Sequence, residues 1–133
     1  ALLTLLDGGT PLARVSVKEL TARAGVNRSS FYRCFAQPRD MFLQCLQKLI
    51  RSELLSGCER DADVLAHYRP YRALLTAAWQ ELGLEGFAAF YTSVLNTMAL
   101  LPDDDAPDEQ LYVYRLRSVC FAAKRTALLY CFL

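Results

Sequence analysis

The side chains best suited to recognition chemistry gather between Ser16 and Arg39: Ser16, Lys18, Asn27, Arg28, Ser29, Ser30, Tyr32, Arg33 and Arg39. Arginine presents a planar fork of donors that matches either a phosphate or the O6/N7 edge of guanine, and small hydroxyls let a nucleic-acid backbone come close. Residues 14–39 set Arg14, Lys18, Arg23, Arg28, Arg33 and Arg39 against the single acid Glu19, a local net charge of +5 in a chain that carries only +1. Such a cluster suits a polyanion. Catalytic chemistry finds much less support. His67 is the sole histidine, which removes a paired-histidine metal set and leaves a catalytic triad without a convincing base. Cys34, Cys45, Cys58, Cys120 and Cys131 are odd in number and widely spaced, so neither a disulfide framework nor a zinc site is expected. Cys34, Cys45 and Cys120 fall on apolar faces, where a free thiol serves as a small core side chain. There is no phosphate-binding loop or dinucleotide fingerprint. The sequence predicts no enzyme, no metal and no cofactor.

The basic cluster is carried by two short helices placed back to back around one glycine. Ser16 and Glu19 have the spacing of a capping box, and Val15 and Leu20 that of a hydrophobic staple. Gly25 stands where the first helix must stop, because a left-handed residue just past a helix end costs glycine no Cβ clash. Asn27 caps the second helix, with Val26 and Phe31 as a second staple. On that helix Phe31, Cys34 and Phe35 make an apolar stripe that faces a core, leaving Arg28, Ser29, Tyr32 and Arg33 outward. Two helices joined so tightly are expected to cross steeply, the geometry that places the second in a major groove.

The run Gly25-Val26-Asn27-Arg28-Ser29-Ser30-Phe31-Tyr32-Arg33-Cys34-Phe35, preceded by Ser16-Val17-Lys18-Glu19-Leu20 and Ala24, resembles the TetR family of bacterial transcriptional regulators. Its wording is closest to the branch related to regulators of dihydroxyacetone utilisation. The resemblance implies that Arg28, Ser29 and Ser30 contact DNA, that Tyr32 binds a phosphate, and that Arg33 has a lesser part. It also implies a repressor that is a cytoplasmic homodimer, released from a double-stranded DNA operator by a small-molecule effector. One position departs from the pattern. The family usually places lysine at the first position of the next helix, where this chain has Pro38. Proline suits a first helical turn but has no N–H to give a phosphate, and Arg39 stands ready to replace that contact. The motif covers about residues 1–50.

The remaining sequence is read as helices divided by turn signals. Met41, Phe42, Cys45, Leu46, Leu49 and Ile50 repeat at helical spacing after Pro38, and Gly57 ends that helix. A short helix is expected at Ala62–Tyr68, another from Pro70 onward, and a joint bracketed by Gly83 and Gly86. Pro102–Pro107 reads as an acidic loop. No alternating pattern persists, so the expected fold is all-α. An N-terminal three-helix helix-turn-helix domain over 1–50 precedes a helical-bundle regulatory and dimerisation domain over 51–133. Charge divides in the same way: residues 1–60 carry nine basic and five acidic side chains, net +4, and residues 61–133 carry six and nine, net −3. Trp79, Phe87, Phe90, Tyr91 and Met98 are candidates to line an effector pocket, although each aromatic taken alone is better read as core. The segment 111–133, with Leu111, Tyr114, Val119, Phe121, Ala122, Leu128, Leu129 and Phe132, is expected to form the dimer face, with Arg115, Arg117, Lys124 and Arg125 at its rim. The alternative is a helical protein-interaction module without DNA binding. No run of eighteen apolar residues suggests a membrane span. The chain opens within one apolar helix and closes within another, as expected of part of a longer protein.

Overall fold

The computed structural model describes residues 1–58, 60–98 and 108–132, with side chains of the last segment described at 113 and from 116 onward. The elements in chain order are α1 (Leu2–Asp7), a 3-10 turn (Leu12–Arg14), α2 (Val17–Ala24), α3 (Arg28–Cys34), α4 (Pro38–Leu55), α5 (Asp61–Tyr68), a second 3-10 turn (Arg69–Tyr71), α6 (Arg72–Thr97) and α7 (Asp108–Phe132). The described residues contain no strand, and the all-α expectation holds at that level. The acidic loop expected at 102–107, with Leu101 and Leu133, lies outside the described residues, as do the side chains of Leu111, Tyr114 and Arg115.

Buried apolar residues form one cluster running from Leu2, Leu5 and Leu6 of α1 through Leu20, Phe31 and α4 to Ala122 and Leu129 of α7. The N-terminal helix α1 packs on α6, so this core passes straight through the boundary expected near residue 50. α4 joins the two regions. Its proline-led first turn carries Arg39, the last residue of the basic cluster, and its stripe Phe42, Leu46, Leu49 and Ile50 is buried along α6. Burial of such a stripe, at roughly 25 cal/mol per Å² of apolar surface, is the main force holding a helix of this kind in place. α6 is broken at Gly83, whose φ of 70° and ψ of −179° interrupt the helical path. The joint therefore lies at that glycine alone. Gly86 is helical, and a Cβ there would come within 3.1 Å of the Leu82 Cβ, so its smallness serves close packing across the break.

The apolar stripe of α4 continues into a charge. Glu53 follows Leu49 and Ile50 on the same face and is 2% exposed. Tyr68 of α5 donates its hydroxyl to Glu53 Oε1 at 3.0 Å, and Tyr91 of α6 does so at 2.9 Å. Arg125 of α7 brings Nε to 3.3 Å from the same oxygen, with its guanidinium over the Phe121 ring at 5.0 Å. The Arg125 N–H is not aligned to donate a hydrogen bond, so the contact is chiefly one of charge. Burial and the neighbouring Glu53 carboxylate push both phenols well above the usual tyrosine range. Burial alone would lower the Arg125 pKa, but the Tyr91 hydroxyl and the Glu53 charge outweigh it and raise the value. Arg125 thus turns inward, and the expectation of a rim position for it is corrected. An unpaired carboxylate in such surroundings would cost several kcal/mol, which is why three partners converge on it.

Candidate nucleic-acid interface

The geometry of α2 and α3 follows from three local devices. Ser16, in extended backbone, accepts the Glu19 N–H on Oγ at 3.1 Å and so starts α2. Gly25 ends it with φ 69° and ψ 28°, the left-handed conformation the sequence predicts. The Val26 N–H then reaches back to the Thr21 carbonyl at 3.1 Å and the Gly25 N–H to that of Ala22 at 3.4 Å, the paired bonds of a Schellman ending. Asn27, extended again, accepts the Ser30 N–H at 2.9 Å and starts α3. Val15 and Leu20 are both buried, as a staple requires.

The second staple does not form. Val26 is 49% exposed, because the backbone bonds of the Schellman turn already fix the chain there. Only Phe31 of α3 is fully buried, with Phe35 half-buried and its ring centroid 5.5 Å away. Cys34 is exposed rather than part of the inward stripe, since the chain turns into extended backbone at Phe35 before a third inward position is reached. Cys120 is likewise exposed, on the outer face of α7 with Val119, and Cys45 is half-buried.

The outward face of α3 holds Arg28, Ser29, Ser30, Tyr32 and Arg33, all exposed, with Lys18 exposed on α2. Tyr32 is 56% exposed and is steadied by an edge-on contact with Phe31, ring centroids 5.4 Å apart. Four of the expected contacts are already engaged. Ser16 and Asn27 spend their side-chain acceptors on the caps, and the Ser30 hydroxyl donates to Asn27 Oδ1 at 3.0 Å. Arg39 lies 3.5 Å from Glu81 of α6 and is drawn toward the bundle. The Asp40 carboxylate accepts the Gln37 N–H at 3.2 Å, closing the start of α4 around Pro38. The face therefore offers Lys18, Arg28, Ser29, Tyr32 and Arg33 as side chains with no hydrogen bond or ion pair among the described residues. Two cationic forks, an ammonium, a phenol and a hydroxyl suit phosphate and guanine.

No family model, curated protein or solved structure matches the chain. The assignment of this face rests on its own geometry.

The residues expected to line an effector pocket lie in or against the bundle interior. Phe87 and Tyr91 are fully buried, and Phe90 and Met98 pack against the same core. Trp79 meets Phe87 edge-on at 4.7 Å and Tyr130 of α7 at 5.6 Å. A cavity of about 320 Å³ lies elsewhere, lined by Leu3, Cys45, Lys48, Leu49, Ser52, Tyr71 and Leu74. Sequence reasoning missed Glu53 and Tyr68, and gave their partners Tyr91 and Arg125 other roles. The available signal was the position of Glu53 on the apolar stripe of α4, where a carboxylate must find a buried partner.

On α7 the expected dimer stripe is divided. Ala122 and Leu129 are buried in the chain's own core, whereas Val119 and Phe121 are exposed, as are Val113 and Leu116, which the expected stripe did not include. No helix of the described residues is long and apolar enough to cross a membrane.

Proposed function

We propose that the chain is a DNA-binding transcriptional regulator of the TetR kind, reading a double-stranded operator with the outward face of α3. The observation that carries this reading is the α2–Gly25–α3 unit. Both helices are started by side-chain caps, Gly25 takes φ 69°, and α3 buries Phe31 while turning Arg28, Ser29, Tyr32 and Arg33 to solvent. The local charge of +5 over residues 14–39 supports attraction to phosphate, and the net of −3 over residues 61–133 favours holding the bundle away from the duplex. A single such reader contacts few base pairs, so a two-fold pair on a two-fold operator is part of the proposal. The exposed apolar residues of α7 supply the homodimer face. Repression in the cytoplasm, with release by a small molecule, completes the reading by resemblance.

The test is selection of duplex fragments by the protein, followed by affinity measurement at two salt concentrations. Binding that weakens steeply with salt supports the reading, since each neutralised phosphate releases a counterion. A second reading, a helical protein-interaction module, draws on Pro38, which offers no N–H at the start of α4, and on the pairing of Arg39 with Glu81. No duplex affinity at low salt would favour that module.

A further inference from the structure

We propose that the cavity between α1, α4 and the start of α6 binds a small amphipath with an apolar body and a carboxylate-type anionic head. The cavity is half open to solvent and offers about 320 Å³, at the lower end of small-molecule sites. Its composition follows from helix geometry. Cys45, Lys48, Leu49 and Ser52 fall at i, i+3, i+4 and i+7, one face of α4, and Leu3 of α1 faces them together with Tyr71 and Leu74 at the start of α6. Leu49 and Leu74 are buried and Leu3 is half-buried, which makes an apolar floor. Lys48, Ser52 and Tyr71 are exposed and make a polar rim.

The rim has one sign of charge. Lys48 is the only charged residue in the lining, and it has no ion-pair partner among the described residues. Burial pushes the Cys45 thiol upward, partly offset by Lys48, so it stays a neutral soft wall and does not compete as an anion for the ammonium. Ser52 Oγ lies 3.2 Å from His67 Nε2. With Nε2 protonated, His67 donates to Ser52 and the Ser52 hydroxyl is left to donate to an anionic head beside Lys48. Five of the seven lining residues come from α1 and α4, which flank the α2–α3 unit in sequence. What an occupant does to DNA affinity therefore rests on the proposed regulator, whereas whether it binds does not.

The experiment is a calorimetric titration of the full chain with octanoate and, in parallel, with 1-octanol at fixed ionic strength. Octanoate is expected to bind one saturable site at least about tenfold more tightly than the alcohol. Lys48→Glu, at an exposed position, should weaken octanoate about tenfold or more, and Lys48→Arg should stay within about threefold of the parent. Ser52→Trp, which fills the mouth from an exposed position, should abolish binding of both probes. Absence of octanoate binding, equal affinity for the two probes, or an unchanged octanoate affinity in Lys48→Glu overturns the proposal. A protein that binds octanoate in this way yet shows no salt-dependent duplex affinity retains the site and loses the regulator. The opposite pair of results does the reverse.

Discussion

Arg125 Nε lies 3.3 Å from Glu53 Oε1, joining α7 to α4 through a carboxylate that also receives the hydroxyls of Tyr68 and Tyr91. Four helices thus meet on one oxygen. Two charges removed from water are held more by their mutual presence than by any net gain, so the loss of either partner matters more than the loss of both.

Arg125→Met should accordingly destabilise the protein by about 3 kcal/mol, the lower end of the usual cost because Arg125 keeps 12% side-chain exposure. Removing both charges, with Glu53→Gln beside Arg125→Met so that an oxygen remains to accept the Tyr68 and Tyr91 hydroxyls, should recover most of that loss. Urea denaturation of the two variants checks the ordering. A double variant less stable than Arg125→Met would show that the pair is not the source of the cost.

High pH should loosen the same cluster. Tyr68 and Tyr91 have folded-state values raised above the ordinary 10.0, so above about pH 10 the unfolded chain loses phenolic protons that the folded chain keeps. The unfolded state then binds fewer protons, and stability falls as pH rises. Below pH 10 the contribution is fully present, and above it each buried phenol should cost about 1.4 kcal/mol per pH unit. Tyrosinate absorbance followed alongside a stability series from pH 8 to 12 tests this, with two of the seven tyrosines expected to ionise only on unfolding. Early ionisation of all seven would refute it.

The α2–Gly25–α3 unit was legible in the sequence because each of its devices acts across three to five residues: Ser16 to Glu19, Thr21 to Val26, Asn27 to Ser30. The Glu53 cluster was not, since its partners come from α5, α6 and α7 and depend on how α4 is rotated in the bundle. Arg125 looked like a surface charge for the same reason. Phe87 and Tyr91 show the limit in another form: an apolar aromatic has the same sequence pattern in a core and in a pocket, and packing alone divides the two. Cys34 was misplaced by a stripe that continues on a helical wheel but not in a helix of seven residues.

Gly25→Val should destabilise the protein by more than about 1 kcal/mol, through backbone strain rather than collision. The φ of 69° disfavours a β-branched residue, whereas a Cβ at this position would meet no atom within 4 Å. Gly25→Asn should cost distinctly less, because asparagine tolerates the left-handed region. Thermal melts of the two variants distinguish strain from crowding, and equal losses would point to crowding.

Asn27→Ala removes the acceptor of the Ser30 N–H and should cost about 1 kcal/mol, frayed at the start of α3. Amide exchange at Ser29 and Ser30 should rise while that of α4 stays level. Uniform acceleration across the chain would mean that the cap is not a local device.

Arg28→Ala should weaken binding to a selected operator by about 1–3 kcal/mol and relax preference at one base pair, if the fork reads a base edge. Tyr32→Phe should weaken all duplexes alike, as expected for a phenol donating to phosphate. Operator titrations with matched and mismatched duplexes separate the two behaviours. Unchanged affinity in both folded variants would remove α3 from the role of reader.

The chain has a single tryptophan, and Trp79 sits where α6 meets α7, edge-on to Phe87 and 5.6 Å from the Tyr130 ring. Its emission therefore comes from one seam of the molecule and needs no label. Excited beyond the tyrosine band, that indole alone emits, and the colour and yield of its fluorescence follow the docking of α7.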